Sequence, residues 1–579
     1  MFRRKLRQAP VRCIHNMSQQ EHFRSQAPPP LQPRPILIPT PRETTLANGL
    51  SVVVVEDSRL PLVSYRLAFR VGGAFDPPEL PGLTDLLAGL LPEGTASKSS
   101  REIADEVARI GASLSAGANS DYTIVAASAL AQFNDRIMEL LAEVVLEPSF
   151  PENEVELAKQ NTKESLRQQR AQPSFLASEM VSRVMFGEHP YSVVAPTPES
   201  IDRSSREEFV KFHRAKLVPN SAVFIVVGDV NYDEILNRVE SLFSTWQRGD
   251  ELVANFPAPP VRTSRTAYLV DRPGSAQSNI VIANSGIIRT SQDYFPMLLM
   301  HTVLGANASS RLFMNLREDK GYTYGAYSNL DARRTAGTFR AMAEVRTPVT
   351  GDSLKEFFYE LERIRNEPVS AKEIADAKSY LTGVFPIRLE TQEGLTDQLV
   401  QIKMLNLPDD YLDNYRDNVQ AVTVEDIQRV AKQYVKPDEA ALIVVGDGAA
   451  VLEQMQPYSD DIEIYNTAGK RKSAQASGET DPVGSWSIEV ETPLGQSIPA
   501  TLTLSRSGSG YTCVMQSEMG DADWGTIEII DNSFDATTSL EMDGHSISAE
   551  LSGKFEGDHT EGFLKLQNSP ELPFTGTKE

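Results

Sequence analysis

Arg317 and Tyr324 stand seven residues apart in the phrase Ser310–Gly325, SRLFMNLREDKGYTYG. A guanidinium offers a rigid fork of donors and a phenol a single hydroxyl. Together they could hydrogen-bond the oxygen of a peptide carbonyl as negative charge gathers on it. A metal and its water would be the second half of such a site. The helix expected to carry them, Gly82–Thr95, GLTDLLAGLLPEGT, holds no histidine. By position alone, Arg317 also suits a salt-bridged helix end and Tyr324 a half-buried strand aromatic.

At 579 residues the chain is too long for one core and asks for several domains. Residues 1–40 end in the proline-rich APPPLQPRPILIPTP and are expected as a disordered leader. From 41 to 250, TTLANGLSVVVVEDS reads as two strands about an Asn48-Gly49 turn, and LVSYRLAFRVGG as another strand. Gly82–Leu91 and Ser100–Ile110 follow with helical spacing, the second opening on a serine placed to cap it. Further strand and helix lead to SREEFVKFHRAKLVPNSAVFIVVGDV, and a proline-containing linker occupies 251–264. That closing unit recurs as TVEDIQRVAKQYVKPDEAALIVVGDG, with Thr423 and Val444-Val445-Gly446-Asp447 at the same offset as Ser205 and Val226-Val227-Gly228-Asp229. Residues 265–450 are therefore a second copy of the first unit. The expected fold is α+β: two homologous mixed α/β sandwich modules in tandem, with a crevice between them as the natural ligand site. A flexible linker is expected over 451–482, and alternating residues over 483–579 read as a small antiparallel β-barrel or sandwich. His545 and His559 lie near its turns without a third ligand and read as surface histidines.

The net charge of −23 argues against nucleic acid and anionic membrane surfaces as partners and leaves a peptide or another protein. Cys13 and Cys513, at opposite ends, make neither a disulfide framework nor a zinc cluster. The N-terminal MFRRKLRQAPVRCIHN is basic and lacks the apolar core of a secretory signal, and no run approaches the roughly 20 apolar residues of a membrane helix. A cytoplasmic or other soluble compartment is expected. An organelle transit peptide stays open beside the alternative that Met17 is the start.

Over residues 40 to 450 the chain resembles the pitrilysin/insulinase superfamily of zinc peptidases with the inverted motif, in particular its short two-domain branch related to mitochondrial processing peptidase. The phrases that carry the resemblance are NGLSVVVVED, FRVGGAFDPPELPGL, FGEHPYSVVAPTPESI and VLGANASSRLFMNLREDKGYTYG, in the family's order. That family binds zinc through His-x-x-Glu-His on one helix and a glutamate on a later one. The register of the resemblance puts Asp85 and Gly89 at the histidine positions and Ala88 at the glutamate. Ser165 takes the later glutamate's place, with Glu164 one residue, or about 100°, round the helix. No metal is expected in this chain. Arg317 and Tyr324, by contrast, match the pair with which the family's second domain approaches substrate.

The resemblance implies the metal-free subunit of a two-chain zinc metalloendopeptidase. A zinc-binding pitrilysin-like partner would supply metal and general base, an unfolded peptide would be the substrate, and Arg317 and Tyr324 would polarise the scissile carbonyl. A non-catalytic scaffold, like the core subunits of the respiratory cytochrome bc complex, is the alternative, and a peptide-binding protein acting alone is a third. His189, in FGEHPYSV, is expected to hold a loop through its ring nitrogens, and His301 to be a satisfied core residue.

Overall fold

The computed structural model describes residues 37–472, 481–492, 497–507, 510–517, 520–530, 532–542, 545–566 and 569–579. The leader expected over 1–40 lies outside the described residues up to position 36, together with Cys13 and Met17.

Valine-rich runs form the middle of the first sheet. It contains β1 (Arg42–Thr45), β2 (Ser51–Glu56), β3 (Leu62–Phe69), β4 (Ser113–Ala118), β5 (Thr123–Leu130) and β6 (Ala222–Gly228), in the order β1-β2-β6-β3-β5-β4. β2 and β6 run parallel at its centre and are buried along nearly their whole length, which is why they read as unbroken apolar runs. β4 forms the far edge and alternates exposed with half-buried residues. Gly49, at φ 92°, makes the turn into β2, and Asn48 beside it donates to the carbonyl of Phe243 at 2.8 Å.

The second sheet repeats this plan with β7 (Thr266–Asp271), β8 (Gln277–Ser285), β9 (Thr323–Ala332), β10 (Gly337–Arg346), β11 (Ala441–Gly446) and β12 (Ile462–Tyr465), in the order β12-β7-β11-β8-β10-β9. β7 and β11 are parallel, as β2 and β6 are. Before each module's last central strand comes a helix capped by the equivalent hydroxyl. Ser205 accepts from the Glu208 N–H at 3.3 Å, and Thr423 from the Asp426 N–H at 3.1 Å. The outer strands differ in origin: β1 precedes β2 in the chain, whereas β12 follows β11 and pairs parallel to β7. This corrects the linker expected over 451–482. Helix Gly448–Met455 buries Val451 and Met455, and Ile462–Tyr465 completes the sheet. The strand is only four residues, IEIY, and the polar stretch that follows concealed it. Residues 473–480 lie outside the described residues.

The modules exchange helices. Helix Pro173–Phe186 of the first module lays Leu176, Met180 and Val181 on Val281, Ile443 and Val445 of the second sheet. Helix Gln392–Met404 of the second lays Leu395, Leu399 and Ile402 among Val53, Ala68 and Ile225 of the first. Arg66, 7% exposed, reaches across to Asp397 at 2.9 Å and Glu393 at 3.2 Å. Each sheet thus depends on the other module for part of its cover.

From Gly484 to Lys578 a nine-stranded antiparallel sheet curls around Trp486, Leu502, Phe534, Phe555 and Phe574. Its ends approach each other: Thr538 donates to the Asp523 carbonyl at 2.8 Å, so the sheet is a nearly closed barrel. Cys513 is buried inside it, and burial pushes the thiol up to about 12. Lys472 ties barrel to module, 2.9 Å from Asp271 and 3.3 Å from Glu528. Among the described residues no helix is long and apolar enough to cross a membrane.

Candidate functional site

The approach to β9 is held from beneath. Arg311, 5% exposed, donates to both carboxylate oxygens of Glu373, at 2.7 and 3.2 Å. Asn315 donates to Glu356 at 3.1 Å and Glu360 at 3.0 Å. Leu312, Phe313 and Leu316 are buried beside them. Between these anchors the chain makes a π-helical turn, Met314–Asp319, rather than another turn of α-helix. A π-turn takes one more residue per hydrogen-bonded ring and so re-aims the side chains it carries. Arg317 is left outward, 45% exposed, with its guanidinium 4.7 Å over the Phe313 ring and Nε 3.5 Å from Glu318.

Tyr324, two residues into β9, is 90% exposed, and its hydroxyl has no hydrogen-bond partner among the described residues. The half-buried aromatic that composition allows is therefore not what the fold makes of it. The Phe313 ring, which carries Arg317, lies 5.8 Å from that of Tyr327. Tyr327 in turn folds across Gly325, where a Cβ would come within 2.6 Å of the tyrosine ring. Arg317 and Tyr324 thus do not touch through any hydrogen bond or ion pair, but Phe313 and Tyr327 link their surroundings. Sequence reasoning passed over both aromatics; their signal was Tyr327 three residues beyond Tyr324 and Phe313 one helical turn before Arg317.

Tyr324 and Tyr327 open onto a cleft of about 380 Å³ on the second sheet, walled on the other side by Ser174 and Ser178 of helix Pro173–Phe186. A second cleft of about 590 Å³ lies where the modules meet, lined by Asn119, Asp121, Arg289, Asp331 and Arg333 among others. The β9–β10 turn docks beside it. Buried Asp121 accepts from the Tyr191 hydroxyl and from the Arg334 N–H at 3.1 Å. His189 accepts the Tyr191 N–H on Nδ1 at 3.1 Å and meets the Thr335 hydroxyl through Nε2 at 3.1 Å, so both ring nitrogens hold loops, as expected of it. His301 bonds the Ser328 hydroxyl at 2.7 Å, and burial brings its pKa down to about 4.

Three of the positions that the resemblance aligns with a zinc site, Asp85, Ala88 and Gly89, lie on helix Leu83–Leu90, whose start is held by Asp76. That half-buried carboxylate accepts from the N–H groups of Gly82 at 2.8 Å and Thr84 at 2.9 Å, and desolvation pushes it up to about 6. Asp85 and Gly89 face outward, while Ala88 is fully buried. A Cβ on Gly89 would meet nothing within 4 Å, so the space for a larger residue is open. Partial desolvation raises the Asp85 pKa, and the nearby Ala118 N–H at the end of β4 works against that rise. Ser165 is exposed on helix Glu152–Arg170 and accepts from Gln169 at 3.3 Å, while Glu164 is turned to Arg167 and Gln168. One carboxylate, an alanine, a glycine and a serine do not fit zinc, which takes three or more protein ligands. Among the described residues no group of three His, Cys, Asp or Glu side chains could hold a metal.

Comparison with known proteins bears on these same segments. A profile described as insulinase (peptidase family M16) matches residues 51–197, and one described as the peptidase M16 inactive domain matches residues 203–381. An uncharacterized zinc protease of Bacillus subtilis, YmxG, is 22% identical over 405 residues, covering 70% of this chain and 98% of the relative. A Helicobacter pylori relative described as the non-peptidase homolog YmxG is 22% identical over 398 residues, 68% of this chain and 91% of its own. A peptidase M16 inactive domain from Pseudomonas fluorescens superposes with a TM-score of 0.66 at 26% identity over 70% of this chain and 98% of that one. A protease from Helicobacter pylori gives a TM-score of 0.66 at 21% identity, over 70% of this chain and all of its own.

Proposed function

Because the chain belongs to the insulinase family, peptidase family M16, we propose that it is the metal-free subunit of a two-chain zinc endopeptidase. An M16 chain bearing His-x-x-Glu-His supplies zinc and the general base. This chain supplies Arg317 and Tyr324 to the carbonyl that is attacked. The observation that carries the reading is a contrast in exposure: Tyr324 stands 90% exposed beside a cleft with its hydroxyl unengaged, while the residues at the metal positions cannot bind metal. An exposed, unpaired phenol and a stacked arginine, joined through Phe313 and Tyr327, offer two donors to an acceptor, and they gain most when that acceptor becomes anionic and is shielded from water. Stacking on Phe313 limits the motion of Arg317 and lowers what ordering it costs. Substrate recognition adds strand pairing, because β9 is a sheet edge and an extended peptide can hydrogen-bond along it.

The test is cleavage of an unfolded peptide by the purified chain alone, by a zinc-bearing M16 chain alone, and by the two mixed, with zinc measured in every sample. Zinc and turnover appearing together in the mixture, and turnover vanishing on chelation while the complex persists, are expected. Zinc and cleavage in this chain alone would overturn the reading. A second reading draws on the relative described as a non-peptidase homolog: a scaffold subunit, for which the complex forms but its turnover ignores substitutions at Arg317 and Tyr324.

A further inference from the structure

The cleft that begins at Tyr324 ends at an arginine that the proposed reaction does not use. Arg340 stands on β10 directly opposite Asn329 of β9, on the sheet face shared by Met342 and Tyr327. Its side chain is 14% exposed. Nε donates to the Thr338 hydroxyl at 3.0 Å, but Nη2 is fully buried and has no hydrogen-bond partner among the described residues. The nearest carboxylate, Asp331, lies 3.7 Å away and is already engaged by Arg333, through Nε at 3.0 and 3.1 Å and Nη2 at 2.7 Å. Burial presses the Arg340 pKa down, the Asp331 charge offsets part of that, and the neighbouring Arg333 charge adds to it. A buried guanidinium left with so little compensation calls for an anion.

We propose that Arg340 receives a carboxylate of the bound peptide, so that the cleft selects an acidic side chain several residues from the scissile bond. The proposal rests on the peptide-binding part of the function above. The sheet supplies the ruler: five residues of β9 separate Tyr324 from Asn329, and at roughly 3.3 Å per residue an extended peptide takes about five residues to run from one end to the other. Selection is local. Glu344 lines the Tyr324 end of the same cleft, and its carboxylate opposes a second acid there.

Fluorescein-labelled peptides of about twelve residues, blocked at both ends and carrying one Asp or Asn scanned along the sequence, test this by fluorescence anisotropy with the full chain. Asp is expected to bind about tenfold more tightly than Asn in one narrow stretch of positions, with Arg340→Met abolishing the preference and Arg340→Lys keeping part of it. A peptide without Asp but with a free C-terminus separates a terminal carboxylate from a side-chain one: tighter binding than its amide, lost in Arg340→Met, assigns the subsite to chain ends instead and overturns the side-chain selection. Equal binding of Asp and Asn peptides to the unmodified chain at every position overturns the Arg340 assignment and leaves peptide binding standing. Failure of every peptide to bind removes both.

Discussion

The two modules share a strand order but diverge in the segment that leads to the open edge of each sheet. In the first, Ser100–Arg109 is a regular α-helix opened by a reciprocal capping box at Ser99, and it feeds β4, whose SLSAGA carries only small residues and leucine. In the second, a three-residue helix gives way to a π-turn and feeds β9, whose TYGAYSNLDA carries two exposed tyrosines. Equivalent scaffolding thus presents small side chains on one side and exposed tyrosines on the other. The helix that the resemblance aligns with a zinc site in the first module is anchored by Asp76 and has open space at Gly89, but it offers a single carboxylate, Asp85, there. The two modules thus share a strand order while differing in their edge strands and in the helix that feeds each, so a site can differ between them on a common scaffold.

The contrast is broken most directly at its chemical end. Tyr324→Phe is expected to lower turnover of the assembled pair on the order of 100-fold to 1000-fold, with assembly unchanged, because it removes one donor to the developing oxyanion and no buried contact. On the β4 side, Leu114→Ala at the half-buried edge is expected to leave turnover within a few fold. Steady-state kinetics of the two variants, with complex formation followed by size exclusion, decides whether the modules are as unequal as their edges suggest.

Next in size is a pH effect carried by His301 of the second module. His301 is held neutral, its pKa brought from 6.5 to about 4 by burial. The unfolded chain therefore takes up this proton first as pH falls, and the stability contributed above about 6.5 is lost on the way down towards 4. Between pH 7 and pH 5 the loss should be about 2 kcal/mol. His301→Gln should flatten that part of the profile in thermal melts. An unchanged slope would mean that His301 stays solvated in the native protein. Tyr191→Phe comes third, at about 1 to 2 kcal/mol, because buried Asp121 loses one partner and keeps the Arg334 N–H. Since Asp121 is also what holds the β9–β10 turn of the second module against the first, the readout is proteolysis within the inter-module seam as well as melting temperature.

Much of this was legible in the residues. The repeat was visible because β6 and β11 are buried on both faces, which forces apolar runs of similar length and leaves little freedom to drift. The metal positions rest on the register of the resemblance: zinc ligands are specific residue types at fixed helical spacing, and Asp85, Ala88, Gly89 and Ser165 are the residues that this register puts there. β12 was not legible: four residues at a sheet edge, each half-buried but one, leave no periodic signal. Nor was the environment of Tyr324. Its exposure depends on where the π-turn releases the chain, and that is fixed by Arg311 and Asn315 meeting glutamates far along the sequence. Arg340 was invisible for a related reason, since only the register of β10 on β9 places it in the cleft.

The smallest expected effect concerns what the modules hold in common. Ser205 and Thr423 cap equivalent helices, and replacing either by alanine should cost about 1 kcal/mol. The two costs should not be identical. At Thr423 the Asp426 carboxylate reaches back to the Thr423 N–H at 3.0 Å and to its hydroxyl at 2.8 Å, completing a reciprocal box, whereas the Ser205 cap has a single bond of 3.3 Å. Thr423→Ala leaves that carboxylate with the backbone N–H and with Arg429 at 3.8 Å, so it should be the costlier change by a few tenths of a kcal/mol, within the spread of cap energies. Because each sheet takes part of its cover from the other module's helix, both substitutions should shift one shared denaturation transition rather than two. Separate transitions, one moved by each variant, would show that the exchanged helices do not bind the modules into one cooperative unit.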